Sequence, residues 1–402
     1  MKLLKYIKKY STILVVDLTT SIGLVYLWNK GYKFLIPTAS VCAIGATYLY
    51  HCTKSRDKIS PNHAIVVTGC DSGLGYSLAL HCRQLGSTVI ASVLQIDGPR
   101  AKQLENEGIL VYPLDVTKIQ SVKNFTNFVR MTLTQKNLVL RCLINNAAMM
   151  IFGEFEWQTD EQLRNQVEVN FLGTMRITRE LMPMIRAYFS RIIVISSHCN
   201  IQPIPGVAAY SGTKAALNAW ATAIRMELKK YGIKVVCFIP GHTGSFVRES
   251  NILARQAEHF QAMKRSMSAE AKTFYGDYFV RYSQYFASVA QGAGLEKLQD
   301  SGIYDVFEGA LLDKYPSAIY KNESWRYLVY HALFLIMPTC LRDRLVEKFV
   351  QGPSWTKPNI NESSIVNKCH EVQGGALELS DLEDQDEDLE CSANKMKITE
   401  KY

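Results

Sequence analysis

The ten cysteines of this 402-residue chain include no C-x-x-C pair and no spacing typical of a metal site. The pattern therefore gives no support to a disulfide framework or to a structural zinc module. A reduced domain that faces the cytosol is the simplest account. Cysteines that lie inside predicted strands or helices are expected to act as small core hydrophobes.

Basic runs interleaved with stacking aromatics are also missing, so nucleic acid is not supported as a partner. The net charge of +8 is unevenly placed, since residues 1–58 carry +7 whereas residues 378–390 hold eight acids and no base. A basic body suits an anionic ligand or an anionic membrane surface. The acidic run lacks aromatics and predicts a disordered tail over residues 356–402.

Apolar runs are short, and two of them lie near the start of the chain. Thr12–Trp28 and Phe34–Tyr50 span 17 residues each, the lower limit for crossing a bilayer. We favour a membrane hairpin over a signal peptide or mitochondrial presequence, because no small-residue cleavage site follows the first run. Basic flanks place both ends on the cytosolic side. The apolar run Leu328–Met337 predicts a core or membrane-docking helix.

Apolar runs alternate with amphipathic stretches from Asn62 onward, which predicts buried strands between helices. The helical spacing is clearest at Tyr76–Leu85 and Ala215–Lys230. This alternation predicts an α/β fold, a Rossmann-like doubly wound parallel sheet with helices on both faces and ligands at the carboxyl ends of the strands. The predicted strands are Ala64–Thr68, Thr88–Val93, Ile109–Tyr112, Cys142–Ile144, Ile192–Ile195 and Lys234–Ile239.

A glycine-rich turn joins the first predicted strand to a helix. Its glycines permit a tight turn and a close approach of the backbone to a pyrophosphate, so the position after a buried strand predicts a dinucleotide site. The candidate cofactor-binding residues of the turn are Thr68, Gly69, Asp71, Ser72, Gly73, Leu74 and Gly75.

The second strand does not end in the carboxylate that usually binds the adenosine ribose, since Asp97 comes late. Asp71 in the turn would repel a 2′-phosphate, which favours NAD over NADP. Asp115 and Val116 follow the third strand. The Asp115 carboxylate is a candidate acceptor for the adenine amino group, or alternatively an N-cap of the next helix.

Tyr210 and Lys214 lie four residues apart at the start of a predicted helix, and therefore on one face of it. Transfer of a hydride from a carbinol needs a group that takes the hydroxyl proton. A phenol is a poor base at neutral pH, but a nearby lysine and an oxidised nicotinamide favour the phenolate. Ser197, just past the fifth strand, is a candidate hydrogen-bond donor to the substrate oxygen. The plain alternative, a surface lysine beside a half-buried ring, does not explain the glycine turn.

Together these motifs resemble the short-chain dehydrogenase/reductase family from about Asn62 to Arg248, and weakly to about Val350. Thr213 stands where that family commonly has serine. The Cys-Asp-Ser insert of the glycine turn resembles the branch of retinol, type 2 17β- and 11β-hydroxysteroid and 3-hydroxybutyrate dehydrogenases. The resemblance is carried by the turn Thr68 to Gly75, by Asp115, by Asn145 to Ala148, by Asn170, Ser197, Tyr210 and Lys214, and by Pro240-Gly241.

The resemblance implies a role for each catalytic residue. Tyr210 would be the acid/base, and Lys214 would hold the ribose hydroxyls and tune the tyrosine. Ser197 would orient the substrate oxygen, and Asn170 would hold a water in a proton relay through Lys214. Further cofactor contacts would come from Asn145 and Ala147 near the adenosine, from Pro240 and Gly241, and from Thr243 or Ser245 at the carboxamide of nicotinamide.

The expected function is NAD(P)-dependent interconversion of a lipophilic secondary alcohol, a steroid, sterol or retinoid, and its carbonyl. We expect the enzyme to lie at the membrane of the endoplasmic reticulum. A homodimer formed through the Tyr210 helix is a candidate assembly. Two alternatives stay open, a mitochondrial 3-hydroxybutyrate-type dehydrogenase and a non-catalytic dehydrogenase-like binding protein.

The expected domain organisation has four parts. Residues 1–58 form a membrane anchor of two apolar helices, and residues 59–255 form the dinucleotide-binding catalytic domain. Residues 256–355 form a helical extension that supplies the substrate lid and membrane-docking helices. Residues 356–402 form the acidic disordered tail.

Overall fold

A parallel sheet of seven strands in the order β3-β2-β1-β4-β5-β6-β7 forms the centre of the protein. The computed structural model describes residues 55–241, 255–290, 301–323, 337–350 and 353–356, with isolated positions within 22–45 and 329–334. The order reverses between β1 and β4, which opens a crevice at the carboxyl ends of these strands. The strands are β1 His63–Val67, β2 Thr88–Val93, β3 Leu110–Pro113, β4 Val139–Asn145, β5 Arg191–Ile195, β6 Lys234–Ile239 and β7 Ile319–Lys321.

Helices connect the strands and extend beyond the last of them. A π-helical turn, Glu168–Gly173, joins α4 to α5, and α8 is kinked at Gly276. The helices are α1 Gly73–Gln84, α2 Pro99–Asn106, α3 Ile119–Gln135, α4 Asp160–Val167, α5 Thr174–Ala187, α6 Ala208–Lys229, α7 Gln256–Ser266, α8 Ala269–Ala290, α9 Ser301–Leu312 and α10 Thr339–Val350.

Two apolar layers cover the two faces of the sheet, because successive strand residues point to opposite sides. Val67 of β1 belongs to the layer that packs on α1, α2 and α9, whereas its neighbour Val66 belongs to the layer on α3, α5 and α6. Burial on both faces explains why the strands are almost continuously apolar. The predicted Rossmann-like sheet with helices on both faces is confirmed.

The six predicted strands are confirmed to within three residues at each end, but β7 was not predicted. β7 pairs with β6, and Phe307 of α9 packs against Phe238 at 5.6 Å between ring centroids. These elements belong to the 256–355 stretch that the sequence assigned to the lid. α9 and β7 thus complete the sheet and one of its apolar layers.

A third apolar cluster lies beside the sheet and is built around Trp157. Its indole meets the rings of α8 edge-on, at 5.0 Å from Phe279 and 5.1 Å from Tyr282. Met263 of α7 is fully buried in the same cluster. These contacts fix α7 and α8 against the loop after β4.

No helix within the described part of the chain is long and apolar enough to cross a bilayer. The two predicted membrane spans lie almost entirely outside the described residues. So do half of the residues of the predicted docking helix Leu328–Met337 and all of the predicted tail beyond residue 356.

Candidate active site

A cavity of about 440 Å³ lies at the carboxyl ends of the strands, where the strand order reverses. The glycine turn, the loop after β4 and the start of α6 all contribute to its lining. Tyr210, Lys214 and Ser197 line the same cavity as Gly69 and Asp115. Residues that the sequence placed in separate motifs are thus brought together in one site.

The glycine turn is closed so tightly that side chains would not fit in it. Gly69 has φ of +70°, and a Cβ there would lie 2.7 Å from the Cα of Ala147. A Cβ on Gly75 would collide with the carbonyl oxygen of Gly69 and the amide of Asn146. Asn146 Nδ2 donates to the carbonyls of Thr68 and Gly69, both at 2.9 Å. The loop after β4 therefore holds the turn in place.

Asp71 fixes the end of β2. Its carboxylate accepts hydrogen bonds from the backbone N–H of Leu94, at 2.8 and 3.0 Å, and from that of Gln95 at 3.2 Å. All three residues line the cavity. A negative charge thus stands where the second strand ends, although that strand carries no carboxylate of its own.

Asp115 is held as an anion beside the cavity. Burial tends to raise its pKa, but hydrogen bonds from the Thr117 backbone and hydroxyl, together with Lys118, lower the pKa overall. The N-cap of α3 is Lys118, without a side-chain cap, so the alternative prediction that Asp115 caps this helix is wrong. The carboxylate instead closes a local turn with Thr117.

Lys214 is buried one turn into α6. Its Nζ donates to the carbonyl oxygen of Ile195 at 3.0 Å and lies 5.6 Å from the ring centroid of Tyr210. Burial lowers the pKa of Lys214 to about 8. The ammonium is therefore still mostly charged at pH 7 and loses its proton as the pH rises through 8.

Tyr210 presents its hydroxyl next to Ser197. Burial raises the pKa of Tyr210 above its ordinary value, and Cys199 adds to the rise, while a hydrogen bond with Ser197 lowers it in part. The sequence predicted that Lys214 and an oxidised nicotinamide together lower this pKa. In the protein without the cofactor, desolvation of the phenolate outweighs the other contributions.

Asn170 lies in the π-helical turn between α4 and α5, and its amide is fully engaged. It accepts from the backbone N–H of Met149 at 2.7 Å and donates to the Met149 carbonyl at 2.8 Å and to Thr213 Oγ1 at 3.0 Å. The Thr213 hydroxyl donates in turn to the carbonyl of Tyr210 at 2.7 Å. Asn170 therefore ties the loop after β4 to the start of α6. A π-turn at such a site is common.

A polarisable phenol, a hydroxyl beside it and a buried ammonium are the groups needed to move a proton at a carbinol oxygen. Comparison with known proteins decides the family. The short chain dehydrogenase family matches residues 63–256. Estradiol 17-beta-dehydrogenase 2 of Rattus norvegicus is 30% identical over 309 residues, which are 73% of this chain and 77% of that protein. The chain belongs to the short-chain dehydrogenase family.

Two further relatives of this short-chain dehydrogenase differ in how much they share with it. Retinol dehydrogenase 7 of Mus musculus is 28% identical over 311 residues, 76% of this chain and 95% of that protein. Mitochondrial D-beta-hydroxybutyrate dehydrogenase of Mus musculus is 31% identical over 218 residues, 53% of this chain and 62% of that protein. The protein is an oxidoreductase that acts on CH–OH groups with a nicotinamide cofactor, NAD or NADP.

Most of the predicted cofactor residues of the short-chain dehydrogenase line the cavity. At Gly69 and Gly75 the lack of Cβ atoms lets the glycine turn pack directly against Ala147 and Asn146, and a tight glycine turn after a strand is the kind of backbone that binds a pyrophosphate. Thr243 and Ser245 lie outside the described residues. The predicted residues in the lining are Gly69, Asp71, Ser72, Gly73, Leu74, Gly75, Asp115, Val116, Ala147, Ser197, Tyr210, Lys214, Pro240 and Gly241.

Three predicted residues do not line the cavity but support it. Thr68 is buried, and its Oγ1 accepts from the backbone N–H of Asn146 and Ala147 at 3.0 and 3.1 Å. Asn145 donates to Thr178 of α5 at 2.9 Å, and Asn170 bonds to the loop after β4 and to α6. Asn146, rather than Asn145, is the neighbour that reaches the cavity.

Several residues of the cavity lining were not predicted from the sequence. Leu94 and Gln95 follow β2 directly, and that position is the only signal that could have identified them. Met149, Met150 and Phe152 follow the Asn-Asn-Ala-Ala segment in the same way. Arg255 and His259 enter from α7, and no motif in the sequence points to them.

Proposed function

We propose that this short-chain dehydrogenase interconverts a lipophilic secondary alcohol, a steroid, sterol or retinoid, and its carbonyl, with NAD as cofactor. The observation that carries the proposal is the grouping of Tyr210, Ser197 and buried Lys214 in one cavity that the glycine turn also lines. The three relatives act, by their names, on estradiol, retinol and hydroxybutyrate.

Tyr210 would take the carbinol proton during oxidation and return it during reduction. Ser197 would donate to the substrate oxygen and Lys214 would hold the ribose hydroxyls. The bound nicotinamide supplies hydride exchange and, when oxidised, a positive charge that favours the phenolate. We assign Asn170 a positioning role, because its amide already has bonded partners on Met149 and Thr213.

The apolar part of the cavity lining supports a lipophilic substrate. It includes Met149, Met150, Phe152, Ile204 and Val207. Such a lining favours an apolar molecule over a small polar hydroxy acid. The match to the hydroxybutyrate enzyme also covers less of this chain than the match to the estradiol enzyme.

We propose that the apolar runs within residues 1–54 anchor the enzyme to a membrane of the endoplasmic reticulum, with the catalytic body in the cytosol. A lipophilic alcohol is concentrated in such a membrane. The basic residues on both sides of the predicted hairpin support this orientation. We also propose that the enzyme forms a homodimer through α6.

The preference for NAD rests on Asp71. Its carboxylate is fixed at the end of β2 by Leu94 and Gln95. A phosphate on the adenosine ribose would meet this negative charge, and the cations in the described lining, Lys214 and Arg255, lie on other elements. The ribose hydroxyls of NAD carry no charge and avoid the repulsion.

The test uses purified full-length protein with NAD⁺ or NADP⁺ and a panel of estradiol, a sterol, retinol and 3-hydroxybutyrate. We expect turnover of at least one lipophilic alcohol, with NAD⁺ preferred, and loss of about 10²- to 10⁴-fold in kcat in Tyr210→Phe. Asp71→Asn should reduce the ratio of kcat/KM with NAD⁺ to kcat/KM with NADP⁺. Turnover of 3-hydroxybutyrate alone, or of no alcohol, would overturn the proposal.

A further inference from the structure

Two basic residues line the same cavity as the apolar residues Met149, Met150 and Phe152. They are Arg255 and His259. Arg255 is the N-cap residue directly before α7 and His259 lies four residues later, so the two are about one helical turn apart. The acids of the described lining, Asp71 and Asp115, are at the ends of β2 and β3 and have partners there.

The helix that carries these two residues is fixed in place. Gln256, between them, accepts from the backbone N–H of Phe152 at 3.0 Å and donates to the Phe152 carbonyl at 2.6 Å. Gln162 of α4 donates to the carbonyl of His259 at 3.1 Å. The start of α7 is thus joined to Phe152 in the loop after β4 and to α4.

Arg255 is a cation without a protein counter-charge in the described part of the chain. Its guanidinium makes no hydrogen bond or ion pair there. Burial lowers the pKa of His259, and the charge of Arg255 lowers it further, against the opposing effect of Glu258. The lowered pKa favours the neutral, hydrogen-bonding form of His259, and the guanidinium of Arg255 offers several N–H donors in a fixed fork.

We propose that the substrate carries an oxyanion, a carboxylate or a sulfate ester, at a distance from the reacting carbinol, and that Arg255 binds it with help from His259. A guanidinium binds two oxygens of such a group at once. The apolar lining would hold the body of the molecule, and Tyr210 its alcohol. This inference rests on the proposed function and narrows its substrate class to anionic lipophilic alcohols.

The test compares alcohols that share a carbinol and differ in charge elsewhere. Estradiol is paired with estradiol 3-sulfate, and lithocholic acid methyl ester with lithocholic acid. We expect the anionic member of at least one pair to have the higher kcat/KM, and Arg255→Gln to reduce that value about tenfold, the usual size of a charge-assisted hydrogen bond, without the same effect on the neutral member. The pair that responds identifies sulfate or carboxylate.

Lys264→Gln is the matched control, because it removes one positive charge from the exposed surface of the same helix, outside the cavity. The inference is overturned if Lys264→Gln lowers the anion preference as much as Arg255→Gln does. It is also overturned if Arg255→Gln raises the KM for NAD⁺ instead, since that would assign the guanidinium to the cofactor phosphates.

A binding experiment separates this inference from the proposed function. Thermal shifts of the NAD⁺ complex are measured with both members of each pair, for wild type and for Arg255→Gln. A larger shift with the anion that disappears in Arg255→Gln supports the anion site even where no alcohol is turned over. Equal shifts with both members overturn it, even where a neutral alcohol is a good substrate.

Discussion

At the scale of single residues, the burial of Lys214 makes a prediction about stability. Burial lowers its pKa from 10.5 to about 8, so between these pH values the unfolded chain binds the proton and the folded chain does not. The contribution of this group to the free energy of unfolding therefore rises with pH across that window. We compare the free energy of unfolding of wild type with that of Lys214→Met. From pH 7.5 to 9.5 we expect this difference to shift by about 2 kcal/mol in favour of wild type.

The measurement is urea unfolding of both proteins without cofactor at the two pH values. The tyrosines and cysteines with raised pKa titrate in both proteins and cancel in the difference. A difference that stays constant with pH would show that the Lys214 ammonium is solvated in the folded protein, contrary to its burial and its bond to Ile195.

A second residue-scale prediction concerns Glu323, which lies just after β7. Its carboxylate lies 3.1 Å from Nδ1 of His198, the residue after Ser197, and the neighbouring Asn322 donates to the Pro240 carbonyl at 3.2 Å. The end of β7 thus holds two turns of the active site at once. We expect Glu323→Gln to lower kcat about 10- to 100-fold through a displaced Ser197, with little change in KM.

The chain offers a matched control for this variant. Glu308 of α9 lies 3.1 Å from His81 Nε2, the same distance, and neither of these two residues lines the cavity. Glu308→Gln should leave kcat at the wild-type value in the same steady-state assay. If both variants lower kcat equally, the effect is a general loss of stability and Glu323 has no positioning role.

At the scale of elements, the turn between β1 and α1 is the least tolerant segment. Gly75→Ala would push a methyl group against the Gly69 carbonyl and the Asn146 amide, whereas a Cβ on Gly212 of α6 meets nothing within 4 Å. We expect Gly75→Ala to cost about 1–3 kcal/mol of unfolding free energy and to weaken NAD⁺ binding at least tenfold. Gly212→Ala should instead raise the free energy of unfolding by up to about 1 kcal/mol, because alanine favours a helix more than glycine does.

Urea unfolding and calorimetric titration with NAD⁺ measure both effects. An affinity for NAD⁺ in Gly75→Ala equal to that of wild type would mean that the turn opens without cost. The predicted role of the turn as a rigid phosphate cradle would then be wrong.

The elements also show why part of the fold and site could be predicted from sequence and part could not. β1 to β6 are apolar on both faces and stand out as runs, whereas β7 has only three residues and pairs with a strand about 80 positions away. Tyr210 and Lys214 are only four residues apart, so their position on one face of a helix could be predicted from the sequence. The position of Arg255 depends on how α7 packs against Phe152, and the raised pKa of Tyr210 depends on burial, so neither could be predicted from spacing.

At the scale of the whole molecule, the residues next to the predicted border between anchor and catalytic body contact α9 and the loop after it. Residues 55–58 were assigned to the anchor, but they pack on the end of α9. The Asp57 N–H donates to the Leu312 carbonyl at 2.8 Å, and the Ser55 carbonyl accepts from Lys314 at 2.9 Å. Arg56 pairs with Glu308 at 3.1 Å. The start of the folded body is therefore joined to the elements that precede β7.

This joint predicts different outcomes for two truncated chains. A chain that begins at Ser55 loses the predicted membrane hairpin and keeps every contact of Asp57 and Arg56. A chain that begins at Ile59 loses those contacts and leaves Arg141 without its partner Asp57. We expect the first to leave the membrane fraction and keep the wild-type free energy of unfolding, and the second to be less stable by about 1–3 kcal/mol.

Fractionation of cells that express each chain, followed by urea unfolding of the soluble protein, distinguishes the two effects. Equal stability of both chains would support the predicted border at residue 58. A chain from Ser55 that stays with the membrane would mean that the body itself binds lipid, since the two apolar runs are then absent. In that case the exposed apolar side chains of the C-terminal helices, such as Phe274 and Leu341, become the surface to substitute next.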